Sequence, residues 1–190
     1  MKRKLLLGSG VAGVSLLLAA SPALAQDADD PSVYLQAVMD NLWVFIAGIL
    51  VFFMQAGFAL VEAGLTRSKN VANIMAKNIA DMCIGVLAFY AVGYAFAYGD
   101  GGGWFIGGNS YFLSGSSLFE ITEGLSGATD FFFQVVFAAT AVTIASGAMA
   151  GRTKFSAYLM FAGLMTAFIY PVVVHWTWGG GLIAKYINWG

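Results

Sequence analysis

Four long apolar runs constrain this chain more than anything else in it. They fall at residues 42–65, about 79–98, 131–150 and 155 to about 175. A helix needs roughly 20 apolar residues to cross the hydrocarbon core of a bilayer, and each run has that length. None alternates apolar and polar residues with a period of two, so membrane strands are not expected. The chain is 59% apolar and 10% charged, against about 45–50% and about 25% in soluble domains. Lipid is the solvent that such a surplus requires. The expected fold is all-α, a polytopic transmembrane bundle of about four helices.

Charge placement predicts the orientation. Arg67, Lys69 and Lys77 are read as lying between the first two runs, and Arg152 and Lys154 lie between the last two. The long connection at residues 99–130 carries Asp100, Glu120, Glu123 and Asp130 and no Lys or Arg. Lys and Arg are retained on the cytoplasmic side, so the two basic connections are expected inside and the long one outside. The first residues agree. "MKRK" is a basic start, an apolar stretch follows, and Ala23-Leu24-Ala25 forms a small-x-small cleavage site. The expected organisation is a cleavable signal peptide at 1–25, a periplasmic leader at 26–41, and a membrane domain at 42–190. The rival, an uncleaved first helix, is disfavoured by the glycines and serines within the stretch. The implied location is a bacterial inner membrane, with several passes and a periplasmic mature N-terminus.

Small residues mark where helices approach in lipid. Gly147 and Gly151, Gly93 and Ala97, and Ala59 and Ala63 each have that four-residue spacing. The Gly-rich stretch "GDGGG" lacks the Lys-Ser/Thr of a phosphate loop and reads as turns. Glu62 stands close to the inner end of the first run, where an acid is costly unless it faces protein or water. Two readings of it stand. It orders the inner loop or lines an inner vestibule, or it pairs structurally with Arg67, Lys69, Asn70 or Asn73, the preferred expectation. Cys83, the single cysteine, reads as a small buried hydrophobe. His175 is the sole histidine and has no Asp, Glu or Cys beside it in sequence, so no metal is expected. No nucleophile–base pair is present on which to build an enzyme. No cofactor or nucleic-acid partner is indicated.

Phe133 and Phe137, four residues apart, share one helix face. By spacing alone they read as packing residues, and Trp176 and Trp178 read as an interfacial belt. Three ordered stretches change that reading. "DNLWVFIAGILVFFMQAGFALVEAGLTRSKNVANIMAKN", "FQVVFAATAVTIASGAMAGRTKF" and "YPVVVHWTWGGG" resemble the first helix and inner loop, the third helix, and the end of the fourth helix of the ammonium transporter (Amt/Mep/Rh) family. The resemblance runs from about Asp40 to the end. It implies an eleven-helix fold and a homotrimer with one pore per subunit. It also implies ammonium or ammonia as substrate, and a cytoplasmic nitrogen-regulatory protein as a possible partner. By the same resemblance Phe133 and Phe137 are the outer phenylalanines of the pore entrance, with Phe137 one half of a stacked gate. Trp178 forms the outer recruitment site, and the three together make an aromatic cage for NH4+. His175 matches a histidine upstream of the Trp-Gly-Gly-Gly, not either pore histidine.

On that likeness the residues here lack both pore histidines, the second gate phenylalanine, the serine of the outer site and the inverted second half. The sequence reads as the N-terminal part of a transporter, or of an ammonium sensor built on the same fold. A non-functional fragment is the third reading. Expressed alone in a strain lacking its own transporters, the chain is expected to show negligible methylammonium uptake. Clear uptake would contradict this.

Overall fold

The computed structural model describes residues 31–114 and 124–186. The expected signal peptide, residues 26–30 of the leader, Glu120 and Glu123 lie outside them. Four long apolar helical runs are present, Pro31–Leu65, Ser68–Tyr98, Gly127–Met149 and Phe155–Tyr186, and no membrane strand is present among the described residues. The first run is one helix, α1 (Pro31–Leu65). The second is α2 (Val71–Ala88), a π turn (Phe89–Gly93) and α3 (Tyr94–Tyr98). The third is α4 (Gly127–Met149). The fourth is α5 (Phe155–Leu164), a π turn (Met165–Ile169), α6 (Tyr170–Thr177) and α7 (Leu182–Tyr186). The two π turns pack against each other.

Helix α4 is the centre of the bundle and packs against α1 and α2. Half of its most apolar window is buried, against 11% for the first run. Helix α1 buries only a narrow stripe, chiefly Asn41, Gly48, Gln55 and Glu62. These stand seven residues apart, which is close to two turns. Three of the four are polar, while Trp43 (76% exposed) and Phe53 (68%) point away. This is an amphipathic helix turned inside out, as expected where the surroundings are hydrocarbon and polar groups must find partners inside.

The helices begin earlier than hydropathy indicated. Helix α1 starts at Pro31, so the second part of the expected leader is helical. Proline suits a first helical turn because it has no N–H to leave unpaired. Helix α2 starts at Val71, well before residue 79, and so Lys77 is not a loop residue. It lies within the span, on the buried face with Asn78 and Asp81. Cys83 is exposed, contrary to expectation, because it stands on the opposite side of α2 from that face. Gly147 lies against Glu62 of α1, but Gly151 does not continue that contact. Gly151 has φ +71°, a conformation that favours glycine, and it lies in the turn that ends α4. Gly93 and Ala97 are buried as expected.

Asn41 anchors the outer end of α4 to α1. Its Nδ2 donates to Ala37 O at 2.8 Å and Gly124 O at 2.9 Å, and its Oδ1 accepts from Ser126 N–H at 2.9 Å. Ser126 in turn caps α4 by accepting from Thr129 N–H at 3.3 Å. Asn41→Ala leaves the buried Ser126 N–H unpaired and removes the tie to Gly124 O. It is expected to lower the unfolding free energy of the full-length protein by about 1–3 kcal/mol, read as a reduced melting temperature in detergent. An unchanged melt would contradict the anchoring role.

Candidate functional site

Phe133 and Phe137, expected by resemblance at the pore entrance, stand on the best-packed span. Phe133 and Phe137 are one turn apart on α4, half-buried, with ring centroids 5.0 Å apart and planes inclined at 66°. They meet edge to face, a preferred aromatic geometry, and not as a parallel stack. Trp178 follows the last residue of α6 and is 61% exposed. Among the described residues it makes no ring contact with Phe133 or Phe137. The structure therefore pairs the two phenylalanines and leaves Trp178 free at the outer end of the fourth run.

Two neighbours of Trp178 anchor the outer loop. His175 is buried, with Nδ1 2.9 Å from Ala97 O and Nε2 2.9 Å from Gly103 O. Its ring wedges between the end of α3 and the Gly-rich turn. Trp176 Nε1 donates to Phe105 O at 2.8 Å, and its ring meets Phe105 at 5.5 Å. The glycines after Trp178 make this approach possible. A Cβ on Gly179 would fall 2.0 Å from Ala97 O and 2.6 Å from His175 Nδ1. Beside the clamp is a polar cavity of about 310 Å³, lined in part by Asp100, Trp104, His175 and Lys185. The "GDGGG" stretch forms turns, as expected, with Gly103 N–H bonded to Ile106 O at 3.0 Å.

Deeper in the bundle each of the four runs contributes a side chain to one polar hub. Gln55 Nε2 (α1) donates to Asp81 Oδ1 (α2) at 3.1 Å and to Thr143 Oγ1 (α4) at 2.6 Å. Tyr158 OH (α5) donates to Asp81 Oδ2. Asp81 and Tyr158 are fully buried. Lys77, 1% exposed, places its Nζ 4.3 Å from the centroid of the Tyr158 ring. Its charged neighbours are Glu62 and Asp81. Glu62 takes its bond from across the bundle. Ser146 Oγ on α4 donates to its Oε2 at 3.1 Å. The expected partners Arg67, Lys69, Asn70 and Asn73 do not bond it, because α1 turns Glu62 onto the buried stripe.

With these positions established, the comparisons with known proteins are decisive. The Ammonium Transporter Family model matches residues 42–189. The chain belongs to the Ammonium Transporter Family. Ammonium transporter Amt2 of Archaeoglobus fulgidus is 44% identical over 179 residues, which are 90% of this chain and 36% of that protein. Ammonium transporter Amt1 of Haloferax mediterranei is 46% identical over 156 residues, 82% of this chain and 29% of that protein. The chain thus spans about a third of the length of these relatives. A solved structure titled a sensor Amt protein superposes with a TM-score of 0.74 at 35% identity, over 80% of this chain and 38% of that one. Candida albicans Mep2 superposes with a TM-score of 0.67 over 76% of this chain and 32% of that one, at 22% identity, a likeness of fold.

Proteins of the Ammonium Transporter Family are membrane transporters. Three features of the site were absent from the sequence reading. The Gln55–Asp81–Thr143–Tyr158 hub was not assembled, although all four are polar residues inside apolar runs and so marked for attention. Lys77 was placed in a loop. The clamp of His175 on the outer turn left no local pattern, because its partners are backbone carbonyls more than 70 residues away.

Proposed function

We propose that this segment forms the outer entrance of an ammonium pathway, and that its full-length protein mediates ammonium uptake for nitrogen supply. The carrying observation is the edge-to-face pair Phe133–Phe137 on the central helix of an Ammonium Transporter Family bundle. Aromatic faces attract a small cation by about 0.5–2 kcal/mol per contact and do not attract anions. In this reading Trp178, exposed at the outer end, collects NH4+. The two phenylalanines then admit it to a hydrophobic conduit. The inner loops carrying Arg67, Lys69, Arg152 and Lys154 face the cytoplasm, where a nitrogen-regulatory protein docks. The protein sits in a bacterial inner membrane as a homotrimer.

A second reading has a specific observation in its favour. The sensor Amt protein is similar in fold and sequence. A sensor uses the same entrance to bind ammonium and reports occupancy through a signalling domain. Ammonium-evoked current marks the transporter, and binding without current marks the sensor.

Both readings require the aromatic residues to recognise the cation. In the full-length protein Trp178→Leu is expected to weaken uptake, or binding, by roughly 2- to 30-fold at low ammonium, the equivalent of one lost aromatic contact. Phe137→Ala is expected to alter conduction at saturating ammonium. Uptake and binding unchanged in both variants would show these residues to be packing only.

A further inference from the structure

One face of α4 runs inward from the phenylalanines. Residues 133, 137, 141, 144 and 148 share it. It is half-buried at Phe133 and Phe137 and exposed at Ile144 and Ala148, and Gly147, also exposed, stands at its edge. Gly147 stands ten residues beyond Phe137 in sequence, about 15 Å along the axis. Directly behind it is the carboxylate of Glu62. The place a side chain at 147 would occupy has Oε1 of Glu62 as its nearest neighbour at 3.7 Å.

That oxygen is unusual. Glu62 is more than nine-tenths buried at 7% exposure, its Oε2 accepts from Ser146, and its Oε1 is buried with no hydrogen-bond partner among the described residues. An unpaired carboxylate oxygen in a membrane interior is costly. Asp81, by contrast, has both oxygens bonded.

We propose that Glu62 is a cation-binding residue at the inner end of this face, taking a small ammonium-class monocation on Oε1 beneath Gly147. The proposal rests on the entrance reading above and adds an inner site to it. The cluster already accommodates an alkylammonium, since the Lys77 ammonium lies over the Tyr158 ring with Glu62 and Asp81 as its charged neighbours. A hard divalent ion does not fit. It needs six or more oxygens, and among the described residues no three His, Cys, Asp or Glu side chains come together to hold a metal. A monocation needs one free oxygen and has it here. Gly147 places no side chain over Oε1. Ser146 fixes the carboxylate by its other oxygen.

The test uses the full-length protein in membranes and the apolar carboxyl reagent dicyclohexylcarbodiimide, with the modified residue located by mass spectrometry. Glu62 is expected to be modified in the wild type, several-fold more slowly with ammonium chloride than with equal tetramethylammonium chloride. Glu62→Gln identifies the labelled site. Gly147→Ala adds one methyl at ordinary contact distance from Oε1, so the fold is kept, and ammonium protection is expected to fall several-fold. Three outcomes overturn the proposal: Glu62 that does not react, a reaction that ammonium does not slow, and protection unchanged in Gly147→Ala. If the wild type still takes up or binds ammonium in any of these cases, the inner site alone fails. If neither uptake nor binding is found, the entrance reading fails as well.

Discussion

Asp81 is a carboxylate buried in the middle of a membrane bundle, and the rest of the structure is arranged around satisfying it. Gln55 reaches it from the first run and Tyr158 from the fourth. Thr143, on the third, shares the Gln55 amide. In lipid there is little hydrophobic drive to bring helices together, so packing and interhelical hydrogen bonds must do it. A hub that takes one side chain from every run therefore also sets how the runs are rotated. Turning α1 by a single residue would swing Gln55 about 100° away and send Glu62 and Asn41 toward hydrocarbon with it.

The orientation of α4 follows from that constraint. Thr143 and Ser146 face the polar interior, bonded to Gln55 and Glu62. With that side committed, the face bearing Phe133 and Phe137 and, further in, Ile144 and Ala148 is left to the other side. The outer end is held separately. Asn41 ties the start of α4 to α1, Tyr94 OH donates to Asp130 at 2.6 Å, and His175 clamps the Gly-rich turn. The aromatic pair thus stands between two anchored regions.

The number and type of the helices could be read directly from the sequence, because apolar runs of about 20 residues leave few alternatives. The Phe133–Phe137 pair is legible from spacing, and the structure shows the two rings in contact. A role at an entrance is what the resemblance implies, and it stands as a proposal. Boundaries and buried polar partners were harder. Hydropathy marks where a helix becomes apolar, not where its hydrogen-bond ladder starts, so the apolar runs omit residues 31–41 of α1 and 71–78 of α2. Lys77 falls in the omitted part, since a lysine at the edge of an apolar run looks like a loop residue until an aromatic ring and two carboxylates are found around it. Glu62 pairs with Ser146, 84 residues away, a distance that no local pattern encodes. Gly147 and Gly151 illustrate the opposite error. Their spacing suggested a helix contact, whereas the second is a turn glycine with positive φ.

The most direct measurement is a double-mutant cycle on the hub. Gln55→Leu and Tyr158→Phe each remove a donor to a different oxygen of Asp81. Unfolding of the full-length protein would be followed for the wild type, both single variants and the double variant. Coupling of about 0.6–1.7 kcal/mol is expected, the range found for interhelical hydrogen bonds in membrane bundles. Losses that add within about 0.3–0.5 kcal/mol, as for independent sites, would show that the two bonds do not act through one carboxylate, and would contradict the view that Asp81 joins the four runs.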